Sequence, residues 1–147
     1  MERTRLFLAT TFQTQDTVLQ ARLRVHRFDP LQPPVDVLHC AGRAPANLRP
    51  EFPLFLAEID GTAVAMATLF IHDGLAFLGN ANTLSRFRGR GCQQALIEHR
   101  LREAARLGCD AASSDTAFGT ISHRNTERAG LALIYQSVDW QRSGKLS

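Results

Sequence analysis

Between residues 86 and 91 the chain reads Arg86-Phe87-Arg88-Gly89-Arg90-Gly91, with a guanidinium at every second position. That composition suits an anion with several oxygens. Arginine supplies fixed charge and a planar fork of donors. Glycine at 89 and 91 lets the backbone turn tightly and come close to a phosphate. The run stands between a strand-like segment and a helix-like one, so it falls at a helix N-terminus, where unpaired N–H groups and the macrodipole favour negative charge. It lacks the Gly-Lys-Ser/Thr of a Walker loop, and its glycine spacing differs from the dinucleotide fingerprint. A solvated turn and a nucleic-acid patch are the other readings such a run admits.

Other chemistry-bearing residues are sparse. The three cysteines, Cys40, Cys92 and Cys109, show no C-x-x-C spacing, and an odd number cannot all pair within one chain. A reducing cytoplasm is therefore the expected compartment. His39 beside Cys40 has no second ligand pair at zinc-like spacing, so no metal site is expected. Cys92 reads as a small core residue at a helix start rather than a nucleophile, because no base is identifiable beside it. The formal net charge of +3 is too small to argue for nucleic acid by itself.

The elements that must position the loop come from periodicity. All six prolines lie between Pro30 and Pro53, which excludes a long helix or a central strand there. Before them, residues 5–11 read as a strand and 15–27 as a helix. After them, apolar runs at 54–59, 63–71 and 75–84 are separated by Asp60-Gly61 and Asp73-Gly74, which predicts a three-stranded antiparallel meander. Residues 93–107 switch to helical spacing, with Leu96, Ile97, Leu101, Ala104 and Ala105 apolar and Gly108 as the stop. A strand at 110–116, a short helix at 122–129 and a last strand at 131–138 follow. The expected fold is a single mixed α/β (α+β) domain over residues 1–147, with a right-handed crossover from the third meander strand to the next strand.

No membrane segment is expected, since the longest apolar run is far shorter than the roughly 20 residues of a spanning helix. The apolar stretch at 6–9 is also too short for a signal-peptide core.

Arg86-x-x-Gly89-x-Gly91, after a strand and before an amphipathic helix, resembles the R/Q-x-x-G-x-G/A signature of the GNAT N-acetyltransferases. Ser122-x-Arg124-x-x-Glu127-Arg128-x-Gly130-Leu131 resembles the S-x-R-x-x-E-K/R-x-G-F segment of the ribosomal-protein-type members. The resemblance covers about residues 54–140. It implies a mostly antiparallel sheet with flanking helices, and acetyl-CoA as cosubstrate. The pantetheine arm would lie between strands that splay on either side of the loop helix. Thr83 and Leu84 would offer backbone groups to pantetheine. Arg88, Gly89, Arg90, Gly91, Cys92 and Gln93 would wrap the pyrophosphate, and Ser122 and Asn125 would lie near the far side of the arm. An ordinary helix N-cap is the other reading of Ser122, and a solvated helix residue that of Asn125.

By the same resemblance, residues 54–140 form the CoA-binding core and residues 1–53 shape the acceptor side. The acceptor would be an amine of a small molecule or peptide, with a homodimer as a compatible assembly and no nucleic-acid or membrane partner. The sequence departs from the family where many members carry an acid tyrosine, near Asn125 or Thr126. The single tyrosine, Tyr135, falls on the predicted last strand. Glu58 and Asp115 are the base candidates, though each reads more readily as a solvated strand residue. A CoA-binding module without transferase activity and a basic nucleic-acid-binding domain are the competing functions.

Overall fold

Apolar alternation broken by Asp-Gly pairs dictates the centre of the molecule. The computed structural model describes residues 2–11, 23–27 and 52–140. The meander is β3 (Leu54–Ile59), β4 (Thr62–His72) and β5 (Leu75–Thr83), antiparallel throughout. Asp60, Gly61, Asp73 and Gly74 all have positive φ, as a two-residue type I′ turn requires. The loop helix α1 spans Cys92–Arg106, then come β6 (Ala111–Ala117), α2 (Ile121–Arg128) and β7 (Ala132–Trp140). β1 (Glu2–Thr11) and β2 (Leu23–Arg27) precede the meander.

One seven-stranded sheet, in the order β2-β3-β4-β5-β6-β1-β7, holds all of these strands. β5 and β6, joined through α1, are its parallel pair; the remaining neighbours are antiparallel. The chain is thus a mixed, mostly antiparallel α/β fold, as the element order implied.

The helix expected over 15–27 is contradicted where the described residues test it. Residues 23–27 are strand, paired in register with β3 from Leu23↔Ile59 to Arg27↔Phe55. Leu23 is buried and Arg24 exposed, with Val25 between them in exposure. Five residues are compatible with either period, and the open edge of β3 decides in favour of the strand. Residues 15–22 lie outside the described residues, as do His39 and Cys40.

Alternation along β3 sends neighbouring side chains to opposite faces. Phe55 and Ala57 join Val64, Leu69, Leu78, Leu96 and Ile97 in the main core under α1. Leu54 and Leu56 pack with Met66 in a second cluster on the other face. A third cluster joins Leu8 of β1 to Leu131, with Leu101 and Ala129 against it.

Candidate functional site

β5 bends before it reaches the loop. Thr68 pairs with Gly79 and Met66 with Asn82, so Ala67 alone faces both Asn80 and Ala81. The extra residue is a β-bulge, and Asn80 adopts a positive φ of 29° within it. On the other side, β5 pairs with β6 over just three positions, ending at Phe77↔Ser113. The Ser114 hydroxyl still crosses to the Leu78 carbonyl at 3.0 Å. Two residues further, Thr116 Oγ1 is buried with no hydrogen-bond partner among the described residues. β5 and β6 therefore splay, as the sequence comparison with acetyltransferases implied.

A cleft of about 690 Å³ is lined from β5 by Ala81, Asn82 and Thr83, beyond the last β5–β6 pair. Leu84 closes the strand by donating its N–H to Val64 O at 2.9 Å. A single 3₁₀ turn at Ser85–Phe87 leads to the basic loop. Gly89 and Gly91 have φ of 73° and 78°, and a Cβ on either would meet no atom within 4 Å. Backbone conformation, rather than crowding, requires glycine there. Gly91 is the N-cap of α1, and the helical ladder begins with Ala95 N–H donating to Gly91 O at 3.0 Å. The amides of Cys92, Gln93 and Gln94 thus precede the ladder at a helix end whose first turn holds no acidic residue.

The three loop arginines divide. Arg86 and Arg90 stack on the Phe87 ring, at 5.1 and 5.3 Å from its centroid. Arg88 lines the cleft together with Gly89, Gly91, Cys92 and Gln93. Cys92 is buried, and that burial pushes its thiol above the usual value. Such a thiol is a poor nucleophile at neutral pH.

α2 forms the far wall. Gln93 Nε2 donates to Ser122 Oγ at 2.9 Å, and Asn125 Nδ2 donates to Gln93 Oε1 at 2.8 Å. Ser122 is not the N-cap of α2; Thr120 is, with its hydroxyl accepting from His123 N–H at 3.2 Å. Ile121, Asn125 and Arg128 present one helical stripe to the cleft. Ser122, Leu84 and Arg90 stand beside the lining rather than in it.

Several lining residues escaped the sequence reading: Ala81, Asn82, Phe87, Gln94, Ile121 and Arg128. The i, i+4, i+7 spacing around Asn125 was a signal for Ile121 and Arg128. Gln94 is informative in another way. Its Nε2 donates to Glu98 Oε1 at 3.0 Å, which fixes the amide orientation, and its Oε1 is buried without a partner among the described residues. An acceptor waits in the wall of the cleft.

Tyr135, Glu58 and Asp115 do not line it. Among the described residues no group of three His, Cys, Asp or Glu is placed to hold a metal ion. No helix among them is long and apolar enough to cross a membrane.

The family model described as Acetyltransferase (GNAT) family matches residues 17–131. A GNAT-family structure from Novosphingobium aromaticivorans superposes with a TM-score of 0.72 at 19% identity, covering 94% of this chain and 63% of that one. A GCN5-related N-acetyltransferase from Sphaerobacter thermophilus gives 0.71 at 18%, covering 92% and 50%. The ribosomal-protein-S18-alanine N-acetyltransferase from Escherichia coli gives 0.62 at 17%, covering 74% and 76%. These likenesses are of fold, and the chain spans between half and two thirds of the length of the first two. No curated protein sequence matches it.

Proposed function

Because the chain belongs to the GNAT acetyltransferase family, we propose that it moves an acetyl group from acetyl-CoA to an amine of a small molecule or peptide. The observation that carries this reading is the basic loop at the N-terminus of α1, which lines one cleft with the end of β5 and a stripe of α2. The cleft volume of about 690 Å³ lies within the range of small-molecule and cofactor sites. Its chemistry fits the ligand. The amides of Cys92, Gln93 and Gln94, with Arg88 and Arg128, would meet the phosphates. Thr83 offers strand backbone to the pantetheine amides, and the orphaned Gln94 Oε1 accepts from a ligand N–H or hydroxyl.

Acetyl-CoA supplies an activated thioester. This chain's part is to hold it in register and bring the amine to it, so positioning accounts for most of the expected rate. With neither Glu58 nor Asp115 at the cleft, the amine would arrive neutral or lose its proton to water. Residues 54–140 act as the CoA-binding core and residues 1–53 as the acceptor side of one domain, working in the cytoplasm.

Thermal unfolding with and without acetyl-CoA tests the reading. At about 100 times its dissociation constant the ligand should add roughly 2.7 kcal/mol of stability. Gly91→Asp places a carboxylate at the phosphate site and should abolish the effect. An unchanged Tm for the wild type at millimolar acetyl-CoA would overturn the proposal. A screen of amine acceptors that follows the released thiol would then identify the second substrate.

A further inference from the structure

Arg100 is the largest fully buried side chain among the described residues, 2% exposed on the face of α1 that meets the sheet. No carboxylate among the described residues pairs with it; burial alone depresses its guanidinium, to about 9. Its partners are carbonyls. Nε donates to Leu96 O at 3.0 Å within the helix. Nη1 donates to Thr68 O at 2.8 Å and to Gly79 O at 3.0 Å. Those two residues are the cross-strand pair at which the bulge begins. A bulge disrupts the ladder locally, and here a single guanidinium nitrogen bridges carbonyls of both strands at its edge. Gly79 lies so close to Thr68 that an added Cβ would stand 3.1 Å from Thr68 Oγ1.

We infer that Arg100 is a positioning residue for the cleft: its guanidinium holds the β5 bulge in the form that presents the backbone of residues 81–83 to a bound CoA thioester. An apolar residue would fill the core more cheaply, because a buried charge satisfied by carbonyls alone gains little from packing. The placement of that charge at the root of the bulge is what singles out a role in shaping the wall. α1 then does two jobs with one rigid body. Its N-terminus faces the phosphates, and two turns along it Arg100 sets the strand that meets the pantetheine. The inference rests on the cofactor reading above.

The test compares Arg100→Met, Arg100→Lys and, as a core-destabilised control, Leu8→Ala, all at a temperature where each is folded. Leu8 is buried in the third cluster, on β1, which pairs with neither β4 nor β5. Calorimetric titration with CoA should show binding weakened about tenfold or more in Arg100→Met, partly restored in Arg100→Lys, and changed less than about twofold in Leu8→Ala. Without ligand, amide resonances of residues 79–83 should move in Arg100→Met and stay in place in Leu8→Ala. Should Arg100→Met fail to fold, Arg100→Gln, which keeps a donor for one carbonyl, carries the same comparison.

Folded variants that bind CoA as tightly as the wild type would overturn the inference, as would an equal loss in Leu8→Ala. A wild type that binds no CoA would instead sink the cofactor reading, and unmoved amides in Arg100→Met would then sink this one separately.

Discussion

Tyr135 lies on β7 with its ring stacked on Phe7, the centroids 4.2 Å apart and the planes 11° from parallel. It is half exposed and away from the cleft lining. A cross-strand aromatic pair accounts for it as a sheet residue. A positioned acid or base contributes roughly 100- to 10,000-fold to rate. Tyr135→Phe, which keeps the stack and removes the hydroxyl, should therefore lower kcat by less than about tenfold. Steady-state transfer at saturating acetyl-CoA reads this out, and a thousandfold loss with unchanged cofactor affinity would make Tyr135 the acid after all. Residue types alone could not place Tyr135 or Asp115 relative to the cleft, because both pair with Phe7, far away in the chain, and such pairing is not a property of spacing. The loop was legible because its chemistry is local: glycine φ, arginine charge and a helix end all sit within six residues.

The two α-helices among the described residues end by the same device. After α1, Cys109 N–H donates to Ala104 O and Gly108 N–H to Ala105 O, each at 3.0 Å. After α2, Leu131 N–H donates to Thr126 O at 3.1 Å and Gly130 N–H to Glu127 O at 3.0 Å. These are paired 6→1 and 5→2 Schellman bonds, with glycine at the left-handed position. Gly130 has a φ of 91°, and a Cβ there would meet nothing within 4 Å. Gly130→Ala thus isolates the backbone penalty, and it should lower unfolding free energy by about 1–2 kcal/mol in denaturant titration. A loss below a few tenths would mean that the helix end relaxes. The glycines after each periodic segment made these stops readable in advance. The start of α2 was less readable, since Ser122 and Thr120 are both good caps by type. The hydroxyl at Thr120 reaches the free amide of His123, whereas Ser122 is turned toward Gln93.

Across the whole molecule, the unexpected feature is where β1 goes. The first strand of the chain is inserted between β6 and β7, antiparallel to both. Without it, the strands flanking α2 would each lose a full ladder. Leu8 on β1 is completely buried against Leu131, with Leu101 of α1 and Ala129 nearby. Terminal strands often tolerate change, but this one has two neighbours and a core side chain. Leu8→Ala should cost about 2–5 kcal/mol. Urea unfolding followed by Trp140 fluorescence and by far-UV circular dichroism should give one coincident, weakened transition. A nearly neutral effect, or a separate early transition, would show that β1 adds little to the core.

The sequence by itself determined what depends on neighbours along the chain. The meander turns follow from Asp-Gly pairs, α1 from its helical period and Gly108, and the phosphate-suited loop from Gly89, Arg88 and Gly91. Tertiary structure decided what depends on partners brought from elsewhere. It made residues 23–27 a strand because the edge of β3 was open to them. It placed β1 in the interior of the sheet, and it put a bulge, which no residue type announces, into the strand that lines the cleft. It also gave Arg100, which sequence spacing leaves as one more helix arginine, a buried post at the Thr68 and Gly79 carbonyls. Local rules fix dihedral angles and periods; pairing, burial and orphaned polar groups are set when distant segments compete for the same space.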